Sequence, residues 1–250
     1  MEQAQALNKR NLIKEHVGGL SFVDIGGLWG TRGETVTTAL QGGATRAVMA
    51  DIQTPGGIWW ERFEARCAKL GVEGYEELQA DICAPDAPER LGTFEFVHCA
   101  GLMYHVADLF RFLGNLVAVT EKYLLLSSVV MPELIEGPSG SVSFGPDHAY
   151  LAPILSEHNQ QIIGDYLGDR GLRADGVNHP IEYMKDGRPR FTPWWWLFSS
   201  RFMTRVLELY GMEVLAEGPT PRGNAYTVFA RFASVSDPAF RPARPRGAAD

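Results

Sequence analysis

The chain is short of cysteine, of basic residues and of long apolar runs, and each shortage excludes something. Its three cysteines, Cys67, Cys83 and Cys99, include no Cys-x-x-Cys pair and are odd in number. That excludes a disulfide framework and predicts reduced, mostly buried thiols in a cytoplasmic protein. No apolar run approaches the roughly 20 residues of a bilayer span, so no membrane partner is expected. The stretch from Met1 to Glu15 is polar and mixed in charge, unlike a signal or transit peptide. With 23 Lys and Arg against 30 Asp and Glu, the net charge is −7, and no dense basic run occurs. Nucleic acid is therefore a poor partner, because phosphate binding needs a basic patch. Without a His-x-x-His, Cys-x-x-Cys or Asp-x-Asp signature, no metal centre is expected either.

What the chain does have is an ordinary globular composition over 250 residues, enough for one domain with a large insertion. Its organising stretch is Leu20 to Gly30. Phe22, Val23 and Ile25 read as a short buried strand, Gly26, Gly27 and Gly30 as a tight turn, and Glu34 to Leu40 as a helix. Such a turn lets a ligand approach the backbone at a helix N-terminus. A second apolar run, Arg46 to Asp51, ends in an acid about twenty residues later, where a doubly wound fold holds ribose hydroxyls. A third, Tyr75 to Ile82, carries Asp81, and a fourth, Thr93 to Ala100, leads into Gly101-Leu-Met-Tyr-His105. Tyr123 to Val130 is a continuous apolar run, of the kind buried on both faces of a parallel sheet.

Helices are predicted over residues 3–17, from Thr31 to Gln41, from Ile58 to Leu70 and from Val106 to Thr120. In the third of these, Trp59, Phe63 and Leu70 point one way, and Trp59 or Trp60 is a stacking candidate for adenine, with core packing the commoner role. In the fourth, Leu109, Phe110, Leu113, Leu116 and Val117 share a stripe. Strands alternating with helices predict right-handed βαβ units. From Met131 to about Pro193 the pattern turns Gly- and Pro-rich, with a helix only from Pro153 to Leu167. An insertion of about sixty residues is too long for an idle loop and predicts a lid or substrate-binding element. Trp194 to Phe198 leads into a helix to Tyr210, and Met212–Ala216 with Ala225–Phe232 form a hairpin. Residues 234–250 are expected to be a disordered tail.

As an ordered set these motifs resemble the class I S-adenosylmethionine-dependent methyltransferases. Val23-Asp24-Ile25-Gly26-Gly27-Leu28-Trp29-Gly30 looks like their first motif, Asp51 their second, Asp81-Ile82 their third, and Phe94 to His105 their fourth. The resemblance spans roughly residues 18 to 130 and resumes near 194 to 232. Two positions depart from it: Leu28 stands where the middle glycine is usual, and Glu95 where Asp is. The resemblance implies a Rossmann-like, doubly wound, mostly parallel seven-stranded sheet, closed by an antiparallel C-terminal strand. On that plan residues 1–130 are the cofactor-binding core with an N-terminal helix, 131–193 the lid, and 194–233 the completing helix and hairpin.

The resemblance also implies S-adenosylmethionine as cofactor, held by Asp24, Gly26, Gly27, Gly30, Asp51, Ile52, Asp81, Ile82 and Ala100. Asp24 would face the amino-acid end, Asp51 the ribose and Asp81 the adenine amino group. The acceptor is expected to be a small molecule taking the methyl on O or N, with self-association as a homodimer left open. His105 follows Tyr104 at the carboxyl edge of the sheet and is a candidate general base, against a packing role. His148, beside Asp147 and Tyr150, is a second. Tyr104, Tyr150, His158, Trp194 and Trp195 are candidates to face the substrate. An NAD(P)-dependent oxidoreductase is the alternative from another class, and none of the tyrosines has the Lys four residues on that would favour it. A non-catalytic binding relative is the third reading.

Overall fold

A computed structural model describes residues 6–29, 34–187, 195–221 and 225–232. Five strands run parallel: β1 (Ser21–Ile25), β2 (Arg46–Asp51), β3 (Tyr75–Gln79), β4 (Phe94–Ala100) and β5 (Thr120–Ser128). β10 (Met212–Pro219) and β11 (Tyr226–Phe232) complete one seven-stranded sheet in the order β10-β11-β5-β4-β1-β2-β3, with β11 antiparallel to both of its neighbours. This is the doubly wound, Rossmann-like sheet with its reversed C-terminal strand.

Alternation along the strands builds a core on each face. Val23, Ile25, Val48, Ala50, Leu124 and Leu126 pack against α4 (Ala87–Leu91), α5 (Leu109–Ala118) and α7 (Ser200–Leu209). Phe22, Met49, Phe96, Leu125 and Phe229 pack against α1 (Lys9–His16), α2 (Val36–Gln41) and α3 (Ile58–Lys69). Leu28 is fully buried in this second core, so the bulk at that position points down into packing and away from the turn's open side.

Several boundaries differ from expectation for identifiable reasons. α2 begins at Val36, not Thr31; Thr35 directs its hydroxyl to Asp24 and makes no cap bond. The buried face of α3 is Trp60, Phe63 and Cys67, whereas Leu70 is exposed. α5 starts only at Leu109, where Asp108 accepts from the Arg111 N–H, and its stripe uses Phe112 while Phe110 faces out. Thr120 then already belongs to β5. Of the predicted N-terminal helix, the described part is α1.

The insertion has its own core. β6 (Leu134–Gly137) and β7 (Gly140–Ser143) form a hairpin over Pro138 and Ser139, and β8 (Ala149–Leu151) pairs with β9 (Trp196–Phe198). The predicted helix splits into a 3-10 turn, Ala152–Ile154, and α6 (Glu157–Asp169), which Ser156 caps from outside. Ile135, Val142, Ile162, Ile163, Leu167 and Trp195 bury one another there. The expected tail falls outside the described residues. No helix among the described residues is long and apolar enough to cross a membrane.

Candidate active site

The carboxyl ends of β1, β2 and β4 border two cavities that meet at Gly26. Two glycines make the crossing possible. Gly26 has φ +77°, and a Cβ there would lie 2.4 Å from Leu102 Cδ1. A Cβ on Gly27 would lie 2.6 Å from Asp24 Oδ2, so the carboxylate fills the space a side chain would need.

The larger cavity, about 360 Å³, is lined by Trp29, Asp51, Ile52, Asp81, Ile82, Leu102 and His105, among others. Asp51 is 3% exposed; its Oδ1 accepts the Gln53 N–H at 3.0 Å, while Oδ2 is buried with no hydrogen-bond partner among the described residues. Burial raises its pKa above the ordinary carboxylate value, with the Gln53 and Leu28 amides pulling it back. Asp81 is exposed and accepts the Cys83 N–H at 2.8 Å. Asn115 steadies that loop through the Ile82 and Ala84 carbonyls, at 2.7 and 2.9 Å. Ile52 and Trp29 are large apolar groups left 57% and 50% exposed at the rim. Trp29, not Trp59 or Trp60, is the indole on this wall. Trp60 is buried, with its N–H on the Gln53 carbonyl, and Trp59 packs 4.7 Å from Trp29.

The smaller cavity, about 240 Å³, is lined by Lys9, Asp24, His98, Ala100, Tyr104 and Ser128, among others. Asp24 and His98 are register partners on β1 and β4, so their side chains leave the same face of the sheet. Asp24 Oδ1 lies 2.7 Å from His98 Nδ1; Oδ2 accepts from the Thr35 N–H at 2.8 Å and from its hydroxyl at 3.0 Å. Burial pushes the Asp24 carboxyl upward, but the His98 imidazole and the bonds from His98 and Thr35 outweigh it, so its pKa ends below the ordinary range. Burial lowers His98 against the pull of Asp24, leaving a neutral ring with its proton on Nδ1. His98 Nε2 is buried without a partner among the described residues. Lys9, at the start of α1, makes no hydrogen bond or ion pair among the described residues, and burial lowers its pKa against Asp24. Burial raises the Tyr104 phenol, which therefore stays protonated.

The remaining sequence candidates divide. His105 lines the larger cavity and Tyr104 the smaller; their rings lie 4.1 Å apart, and Trp195 packs on both, at 4.8 Å from Tyr104 and 5.0 Å from His105. His148 and Tyr150 line neither cavity; His148 is buried, with Nδ1 on the Gly145 carbonyl at 2.8 Å. His158 lies beside Gly140 in the insertion and lines neither cavity. Gly30 and Trp194 fall outside the described residues. Sequence reasoning missed Lys9, His98 and Trp29 as cavity walls. The one available signal was His98 itself, a histidine in the middle of an apolar strand. The described residues contain no cluster that could hold a metal ion.

No protein-family model matches the chain, and no curated protein matches it. Solved structures do. Magnesium protoporphyrin IX methyltransferase from Synechocystis PCC 6803, with SAH (S-adenosylhomocysteine) bound, superposes with a TM-score of 0.50 at 12% identity, over 89% of this chain and 78% of that one. The N-terminal domain of EvdMO1, in the presence of SAH and D-fucose, gives 0.51 at 18%, over 90% and 80%. The mitomycin 7-O-methyltransferase MmcR gives 0.50 at 15%, over 87% and 50%. At such identities the likeness establishes the fold, that of the class I methyltransferases.

Proposed function

We propose that this chain is an S-adenosylmethionine-dependent methyltransferase moving a methyl group to an oxygen or nitrogen atom of a small metabolite. The observation that carries the reading is Asp51 Oδ2, a buried acceptor without a donor at the carboxyl end of β2. A buried carboxylate oxygen left unpaired is costly, and a pair of ribose hydroxyls satisfies it. The other residues fit the same ligand. Asp81 accepts from the adenine amino group, Ile52 and Trp29 offer apolar faces to its ring, and Gly26 and Gly27 let the chain of the cofactor cross between cavities.

When bound, the cofactor supplies a methyl group already made electrophilic by its sulfonium. The protein's contribution is then orientation and proton handling. Tyr104, protonated in its buried setting, donates a hydrogen bond to the acceptor, and Trp195 backs it. Of the histidines weighed from sequence as bases, His105 alone lines either cavity, and we assign it proton removal from an acceptor hydroxyl or amine. The insertion, residues 131–193, acts as the substrate-binding lid; His148 is buried within it, and Tyr150 and His158 are exposed on its surface, where a substrate can meet them.

One calorimetry session tests the reading, with S-adenosylhomocysteine and NADH titrated into the pure protein. Binding of the former and not the latter is expected. Binding of NADH alone would convert the assignment to an oxidoreductase, and binding of neither would remove the nucleotide role. Transfer of labelled methyl to panels of hydroxylated and aminated metabolites then separates O from N acceptors.

A further inference from the structure

Asp24, 1% exposed and already accepting three hydrogen bonds, has little capacity left for the amino-acid end of the cofactor. Both of its oxygens are already engaged, Oδ1 by the His98 Nδ1–H and Oδ2 by two donors of Thr35. What the smaller cavity offers instead is one acceptor and one cation. His98 is 1% exposed, and the hydrogen bond to Asp24 fixes its proton on Nδ1, so Nε2 carries a lone pair and has no donor. Lys9 lines the same cavity from α1 and makes no hydrogen bond or ion pair among the described residues. Its charge lies close enough to His98 to disfavour a second proton on the ring, which keeps Nε2 an acceptor. A buried lone pair and an ammonium unpaired among the described residues, lining one cavity, are complementary to a zwitterion, which brings its own ammonium and its own carboxylate.

We infer that His98 and Lys9 hold the α-amino-acid end of the cofactor, its ammonium donating to His98 Nε2 and its carboxylate pairing with Lys9. The inference rests on the methyltransferase reading and adds to it Lys9, outside the family motifs quoted above, and His98, a residue of the fourth motif given no role there. Asp24 is then a positioning residue: it fixes the tautomer and orientation of His98 and touches no ligand.

Two ligands separate this from a general effect on the fold. S-adenosylhomocysteine carries the amino acid; 5′-methylthioadenosine has the same adenosine and thioether and lacks it. By calorimetry, Lys9→Met should weaken S-adenosylhomocysteine at least about tenfold, as expected for loss of a charge-assisted contact, and leave 5′-methylthioadenosine within about twofold. Lys9→Arg should recover most of the loss. His98→Leu should show the same selectivity, and retained 5′-methylthioadenosine binding certifies that the variant is folded. Unchanged S-adenosylhomocysteine affinity in Lys9→Met overturns the inference while cofactor binding stands; so does equal weakening of both ligands. A wild-type protein that binds neither ligand overturns the inference together with the reading it rests on.

Discussion

Replacing Asp51 with Asn separates the stability of the free protein from its affinity for a nucleoside. The side chain keeps its size, and its carbonyl oxygen still accepts the Gln53 N–H that now reaches Oδ1 at 3.0 Å. What disappears is a charge at 3% exposure and one of two acceptor oxygens, the one without a partner. In the free protein burial raises the Asp51 pKa above its unfolded value. Between those two pKa values the native state binds more protons than the unfolded state, so this group makes stability fall as pH rises through that interval. The deficit then stays constant at higher pH. Asp51→Asn removes that penalty, so the free variant should melt at or above the wild-type temperature at neutral pH and converge with it in acid. Affinity should move the other way. Hydrogen bonds to a charged acceptor contribute about 1.5 to 3 kcal/mol each, so losing one weakens S-adenosylhomocysteine by about ten- to 150-fold. Thermal melts across pH and calorimetric titration of the same preparations provide both numbers. A variant that melts lower and binds unchanged would refute the assignment of Asp51 as a ligand acceptor and make it a structural carboxylate.

Asp24 should behave oppositely. Its folded pKa is depressed, so its stabilising contribution is present above the ordinary carboxylate value and is lost as pH falls through the folded pKa. Asp24→Asn should lower the melting temperature at neutral pH by removing the ionised partner of His98 and Thr35, and it should flatten the acid limb of the pH profile; an unchanged limb would show that this cluster does not set acid stability. Cys83 lines the larger cavity, and burial together with Asp81 pushes its thiol up to about 12. At pH 8 iodoacetamide should therefore modify it roughly a thousandfold more slowly than an ordinary thiol, as peptide mapping would show, and modification at the ordinary rate would contradict that environment.

How far the sequence revealed this architecture depends on the range of the interactions involved. The strand ends Asp51 and Ala100 could be read because a short apolar run ended by an acid or a glycine turn is a local pattern. β2 falls over the same residues, Arg46–Asp51, that the run marked out. Gly137-Pro-Ser-Gly140 is an equally local turn signal in the sequence, and it closes the β6–β7 hairpin. The Asp24–His98 pair was not legible, because its partners lie 74 positions apart and meet only when β4 inserts beside β1. Nor was the face of α3: Trp59 and Trp60 are neighbours with equal hydrophobicity, and the contact of Trp60 with Phe63 and the Gln53 carbonyl decides which turns inward. Leu28 misled in the same way. As a letter it interrupts a glycine pattern, while in three dimensions its side chain packs beneath the turn with Val36 and Ala39.

The two halves of the site have different structural origins. Apart from Lys9 on α1, the residues assigned to the cofactor sit on or just beyond β1, β2, β3 and β4, between cores on both faces of the sheet, so their separations are fixed by strand register. The acceptor side rests on a junction. Tyr104 comes from the turn after β4, Trp195 from the position just before β9, and the insertion folds around Ile162, Ile163 and Leu167 without using the main sheet. β9 ties the two together, because it pairs with β8 while the Met131 amide bonds to the Phe198 carbonyl at 2.7 Å. Substitutions inside the insertion core can therefore shift Trp195 against Tyr104 and alter the proposed acceptor contacts while Asp51, Gly26 and His98 keep their places. On the proposed function, acceptor choice is then the property this fold can change most readily, and cofactor choice the one its strand register holds.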